Sequence, residues 1–185
     1  MFSRVVLLLL TIATAPACLV VTMHPAYDEQ SLAWNDALPG TWQSTDDETV
    51  ITVARDEWRS YRIEYRHPIE TGALTGYLTT VGDALLMDVM PARGQDRGAF
   101  VLPVHAVLRI AVTGDELQVT PLSYDTLLDR ARKRLTIPGL AFVLDQKQNL
   151  VITSPTAELR RWLARPAAQQ WLGGTTTFTR LKAAS

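Results

Sequence analysis

The chain has 185 residues, of which 47% are hydrophobic and 20% are charged, and its formal net charge is −1. This composition is close to the globular average, so it excludes a disordered or fibrous chain and allows a sizeable core. The nearly neutral charge gives no basic field for nucleic acid, and we expect no nucleic-acid partner.

The chain begins with the pattern of a signal peptide over residues 1–17. One positive charge, at Arg4, precedes an apolar run over 5–15, and small residues follow. Cys18, the only cysteine, stands directly after this leader. It is either a free thiol behind an ordinary signal-peptidase cut or a lipidated N-terminus, and an uncleaved anchor is a third reading. Lipidation removes a thiol that would crosslink in an oxidising compartment, so we favour it.

The residues before the cysteine support this reading by a resemblance. The stretch Ala15-Pro16-Ala17-Cys18 resembles a bacterial lipobox, with Ala17 directly before the cysteine. The resemblance implies a lipoprotein anchored to the membrane through Cys18. In the proteobacterial sorting scheme, Leu19 in place of an aspartate implies the outer membrane, facing the periplasm. We therefore expect a protein of the bacterial cell envelope.

Residues 18–37 form the expected link between the lipid and a folded domain over 38–182. The part from 24 to 37 is polar and shows no clean hydrophobic period. We interpret 18–37 as a lipidated N-terminus and tether. The alternative is that Leu32 and Trp34 dock on the domain, as a short helix.

Period-two hydrophobicity dominates the chain from residue 38 onward. Tyr61, Ile63 and Tyr65, for example, alternate with charged residues, which indicates a half-buried strand. Gly82-Asp83 and Gly114-Asp115 are two-residue hairpin signals between such runs. Strands are predicted from residue 40 and over 50–54, 61–66, 74–81, 84–90, 100–102, 105–113, 117–120, 140–144, 150–153 and 175–181.

Two segments have a helical period instead. Ser123 is a suitable cap for a helix over 123–135, which contains the basic run 130–134. That run is either a solvated face or a contact with anionic lipid headgroups. A second helix is predicted from residue 154, with Pro155 in the first helical position and Pro166 ending or kinking it.

A second resemblance rests on two parts of the chain, the stretch Gly40-Thr41-Trp42 and Arg180. Gly40 allows a close backbone turn, Trp42 can plug a barrel end, and Arg180 in the last strand can stack on it. This arrangement is similar to that of the lipocalin and broader calycin families. It implies an up-and-down antiparallel barrel over 38–182, closed by Gly40, Trp42 and Arg180, with a small apolar ligand inside.

We therefore predict a mainly β fold, a calycin-like antiparallel up-and-down barrel of about ten strands with two helical insertions. A two-sheet β-sandwich is the alternative. Tyr61, Ile63 and Tyr65 are the residues expected to line the ligand, unless they only fill the interior.

No catalytic or metal-binding motif is present, so we expect neither an enzyme nor a cofactor. The three histidines lack metal-ligand spacing. An enzyme would require a cleft that gathers Asp88, His105 or Arg109, and we expect His105 and Arg109 to face water or a neighbouring helix. The predicted function is a non-enzymatic envelope lipoprotein that binds a small apolar ligand. The alternative is a periplasmic protein-interaction or structural module without a cavity.

Overall fold

A computed structural model describes residues 19–92 and 103–182 of the chain. The leader, Cys18 and the strand predicted over 100–102 lie outside the described residues. The described strands are β1 (Val21–Thr22), β2 (Gly40–Ser44), β3 (Val50–Arg55), β4 (Ser60–His67), β5 (Glu70–Val81), β6 (Ala84–Pro91), β7 (His105–Thr113), β8 (Glu116–Pro121), β9 (Phe142–Leu144), β10 (Leu150–Ile152) and β11 (Thr176–Arg180). The helices are α1 (Tyr124–Arg132), α2 (Thr156–Leu163) and a 3-10 helix (Pro166–Trp171).

Eight of these strands form a closed antiparallel barrel. Each strand from β2 to β8 pairs with the next one along the chain, and β11 lies between β8 and β2. The predicted hairpin turns at Gly82 and Gly114 join β5 to β6 and β7 to β8. The mainly β barrel fold is confirmed. It has eight strands and not about ten, because the other three lie outside it.

The remaining strands β1, β10 and β9 form a small sheet beside the barrel, which we call the extension sheet. Val21 of β1 pairs with Ala106 of β7, beyond the point where β8 ends. On its other edge Val21 pairs in parallel with Val151 of β10, and Val151 pairs with Val143 of β9. The extension sheet therefore continues one wall of the barrel outward.

Two hydrophobic cores lie on the two sides of the barrel wall. On β7, Ala106 and Ile110 face the interior, whereas Val107 faces outward. Because side chains alternate along a strand, one strand supplies both cores. The helices cover the outer core, which contains Val81, Leu86, Val107, Leu127, Leu128, Leu150, Ile152, Leu159, Trp162 and Trp171.

The helical insertions begin where the sequence indicates. The Ser123 hydroxyl accepts the backbone N–H of Thr126 at 3.4 Å, which satisfies one free donor of the first turn of α1. Pro155 stands at the N-cap of α2, one position before the first helical residue. Pro166 opens a separate 3-10 helix, which the sequence analysis did not predict.

The segment between Val20 and Trp34, which we call the N-terminal segment, lies against the barrel. Ala26 is fully buried, and the N–H of Ala33 donates to the carbonyl oxygen of Leu78 at 2.8 Å. Leu32 forms a β-bridge with Thr79. This is the docked alternative for Leu32 and Trp34, but without the expected helix.

Candidate functional site

The structure brings Gly40, Trp42 and Arg180 together at one end of the barrel. The Arg180 guanidinium lies 4.0 Å from the centre of the Trp42 ring, which is fully buried. Arg180 Nη1 donates to the carbonyl oxygen of Pro39 at 2.9 Å. Gly40 has a φ of +149°, and a Cβ at this position would lie 2.3 Å from Arg180 Nη1. The arginine therefore covers the tryptophan only because residue 40 has no side chain.

The three residues expected to line a ligand share the inner face of β4. Tyr61 is fully buried, stacks on Trp34 with ring centres 4.4 Å apart, and its hydroxyl accepts the N–H of Asn35 at 2.9 Å. Burial raises the pKa of the Tyr61 hydroxyl. Ile63 and Tyr65 are half-buried, and Ile63 packs into the inner core. Their role as ligand contacts stays a prediction.

Side chains of the protein itself occupy the centre of the barrel. Trp42, Tyr61 and Leu78 are all fully buried and pack in one cluster with Met87 and Phe178. Two surface concavities of about 520 Å3 lie elsewhere. One is lined by residues such as Thr41 and Thr52, and the other by residues such as Trp58 and Thr75.

A buried polar cluster lies on the outer face of the barrel between β6 and β7. Asp88 is fully buried, and its Oδ1 lies 2.7 Å from Nδ1 of His105. Its Oδ2 accepts the backbone N–H of Ala26 at 2.6 Å. Both carboxylate oxygens therefore have a partner, one from the next strand and one from the N-terminal segment.

Two tyrosines lie beside this cluster. The Tyr27 ring stacks on Tyr77 with centres 4.4 Å apart and meets His105 edge-on at 6.4 Å. Burial, then the proximity of Tyr77 and Asp88, raises the pKa of Tyr27 to about 12. The phenol therefore keeps its proton to a higher alkaline pH than an ordinary tyrosine does.

The bond from the Ala26 N–H to Asp88 joins the N-terminal segment to the barrel wall. A carboxylate that orients a histidine is part of many catalytic sites, but such a site also needs a nucleophile and a place for substrate. Of the residues that a catalytic cleft was expected to gather, the structure brings only two together. Asp88 and His105 meet, whereas Arg109 donates to the side-chain oxygen of Gln169 at 2.6 Å and lies apart from them.

Arg160, which was not predicted from the sequence as a functional residue, joins three parts of the fold. Its Nη1 donates to the carbonyl oxygen of Ala26 at 2.7 Å and to the Thr79 hydroxyl at 3.0 Å. Its Nη2 donates to the carbonyl oxygen of Thr80. A charged residue on the inner side of an amphipathic helix is the signal that would have indicated such a partner.

Two further findings concern metals and membrane spans. In residues 19–92 and 103–182, no group of three His, Cys, Asp or Glu side chains is arranged to hold a metal ion. Over the same ranges, every helix falls short of the length and hydrophobicity needed to cross a bilayer.

Comparisons with known proteins gave no match: no family model, no curated protein and no solved structure is similar to this chain at a significant level.

Proposed function

We propose that this protein is a non-enzymatic lipoprotein of the bacterial cell envelope, anchored through Cys18 in the outer membrane and facing the periplasm. Its calycin-like barrel acts as a packed structural or protein-interaction module without a ligand cavity. The observation that carries the proposal is the packing of the barrel interior. Trp42, Tyr61 and Leu78 are fully buried there and belong to one hydrophobic cluster.

The packing inside the barrel supports a module without a ligand. Cavities that hold small molecules have volumes of about 300–1,000 Å3 and are lined by apolar side chains. A Cβ added to Gly76, which is on the inner face of β5, would lie 2.8 Å from both Ile63 Cδ1 and Met87 Sδ. Side chains from two neighbouring strands therefore already fill the space over this glycine.

The buried polar cluster supports a non-enzymatic role. Both oxygens of Asp88 are engaged by His105 and by the N–H of Ala26. A general base has to be within reach of substrate, whereas Asp88 is fully buried and the His105 side chain is only 9% exposed. Here the carboxylate instead ties the N-terminal segment to the barrel wall.

The anchor is tested by the intact mass of the protein made in a bacterial host with its own leader. We expect residues 1–17 to be absent and Cys18 to carry a diacylglyceryl group and an amide-linked acyl chain. The Cys18→Ser variant is the control and should lack these additions. A wild-type mass that corresponds to a cut chain with a free thiol contradicts the anchor.

The absence of a ligand is tested separately with an apolar fluorescent probe. We expect no saturable 1:1 binding to the detergent-solubilised protein. Saturable binding that Ile63→Trp abolishes, while Leu181→Trp on the outer surface does not, would replace this function with ligand binding. Tyr61, Ile63 and Tyr65 would then be the ligand contacts.

A further inference from the structure

The extension sheet has two faces of different character. On one face, Val20, Leu150 and Ile152 are buried under α1, in the same core as Leu127 and Leu128. Because side chains alternate along strands, the residues between them point to the opposite face. Those residues are Leu19, Val21, Met23, Val143 and Val151, and we call them the apolar face.

Among residues 19–92 and 103–182, no helix covers the apolar face as α1 covers the other side. Leu19 is 43% exposed, Met23 is 41% exposed and Val143 is 50% exposed, whereas Val21 and Val151 are half-buried. The pairing of Val21 with Val151 and of Val151 with Val143 makes the face continuous. Soluble proteins rarely expose a continuous apolar patch, so five apolar residues on the open side of this sheet indicate a contact surface.

We propose that the apolar face lies against the lipid bilayer that holds the Cys18 anchor. This inference rests on the proposed lipidation and adds an orientation to it. The barrel is then attached directly to the membrane surface through the extension sheet, without a spacer between lipid and domain.

The distance between Cys18 and the fold is what selects a bilayer as the occupant. Leu19, the next residue, belongs to the apolar face, and Val20 is already buried. Neighbouring Cα atoms are about 3.8 Å apart, so only one peptide bond would separate the proposed acylated residue from Leu19. A domain joined so closely to a membrane has to present some surface to it, and this one is apolar.

The basic run 130–134, which begins in the last turn of α1 and continues beyond it, would give a different orientation. Arg132 and Arg134 are exposed on the helix layer, which covers the other side of the extension sheet. The geometry therefore points to apolar contact through the sheet and not to electrostatic contact through α1.

Lipid-specific fluorescence quenching tests the orientation on the whole lipidated protein. Cys18 is the only native cysteine and lipidation consumes it, so one added cysteine is labelled alone with the fluorophore NBD. Met23→Cys and Val143→Cys place the label on the apolar face. Leu181→Cys is the matched control, since Leu181 is also 43% exposed and its N–H bonds to Thr41 of β2, three strands away from β7 around the barrel.

The protein is placed in vesicles of phosphatidylethanolamine and phosphatidylglycerol that contain doxyl-labelled lipid. We expect several-fold stronger quenching at positions 23 and 143 than at position 181. Equal quenching at all three positions overturns the inference, and so does a blue-shifted label at 23 and 143 that the lipid does not quench, since a protein surface then covers the face. The wild-type mass is measured in parallel: an unacylated Cys18 overturns the proposed anchor and this orientation together, whereas an acylated Cys18 with equal quenching overturns the orientation alone.

Discussion

Asp88 Oδ1 lies 2.7 Å from Nδ1 of His105, with the carboxylate fully buried on the outer wall of the barrel. The second oxygen of Asp88 accepts the N–H of Ala26, so one side chain joins β6, β7 and the N-terminal segment. A buried carboxylate is stable only when its oxygens have partners, and here the N-terminal segment supplies one of them.

Replacing Asp88 with alanine should reduce the free energy of unfolding by about 1–3 kcal/mol or more. The change leaves the buried N–H of Ala26 and the imidazole of His105 without their acceptor. Urea unfolding measures the loss. His24→Gln is the control, because His24 is exposed and should cost less than about 0.5 kcal/mol. Equal stabilities of the Asp88 and His24 variants would contradict this account.

Arg180→Lys should cost about 1–2 kcal/mol, since lysine keeps the charge over Trp42 but loses the planar fork. That fork reaches the carbonyl oxygens of Ala37 and Pro39. Thermal and urea unfolding report the change. In the matched variant Arg62→Lys, an exposed pair with Glu64 is altered, and we expect an effect within about 0.5 kcal/mol. The prediction fails if the two lysine variants behave alike.

Gly40→Ala should lower stability by about 2 kcal/mol or more. The added Cβ meets Arg180 Nη1 at 2.3 Å, and the φ of +149° is strained for any L-residue with a side chain. Gly174→Ala is the control, because no atom lies within 4 Å of its Cβ position. It should leave stability unchanged or raise it by up to about 1 kcal/mol. A tolerated alanine at position 40 would mean that Arg180 can leave Trp42 at little cost.

The raised pKa of Tyr27 predicts a loss of stability at alkaline pH. The pKa of the phenol is about 12 in the folded protein, against 10.0 for an ordinary tyrosine such as that of the unfolded chain. The unfolded chain therefore binds fewer protons between these values, and the free energy of unfolding falls as pH rises through them. Urea unfolding from pH 8 to 11 measures the slope. Tyr27→Phe should flatten it, and an unchanged slope would contradict the assignment.

Much of the barrel could be predicted because one physical signal marks it. Alternating side chains identify strands β3 to β8 to within a few residues, and Gly-Asp pairs identify two hairpins. The 3-10 helix at Pro166 and the strand β1 were not predicted from this signal. β1 has two residues, so no period can be read from it, and its pairing depends on β7 and β10, which are distant in sequence.

The candidate site shows a second limit of single-strand patterns. The more apolar side of β7 was expected to face the core, and Ala106 and Ile110 do face the interior. His105 and Val107 on the other side are buried as well, because the N-terminal segment and the helices form a second layer. The sequence of a strand between two cores indicates which side is more apolar, but not that both sides are buried. The meeting of Asp88 with His105 was therefore not predicted from either strand alone.

The pairing of Trp42 with Arg180 across the β2–β11 seam has a consequence for biosynthesis. Strand β2 can pair with β11 only after nearly the whole chain has been synthesised. Such distant closure is entropically costly and slow, so the folding polypeptide passes through a stage with two open sheet edges. Chains truncated anywhere before β11 should be prone to aggregation and should be degraded, even when most of the strands are already present.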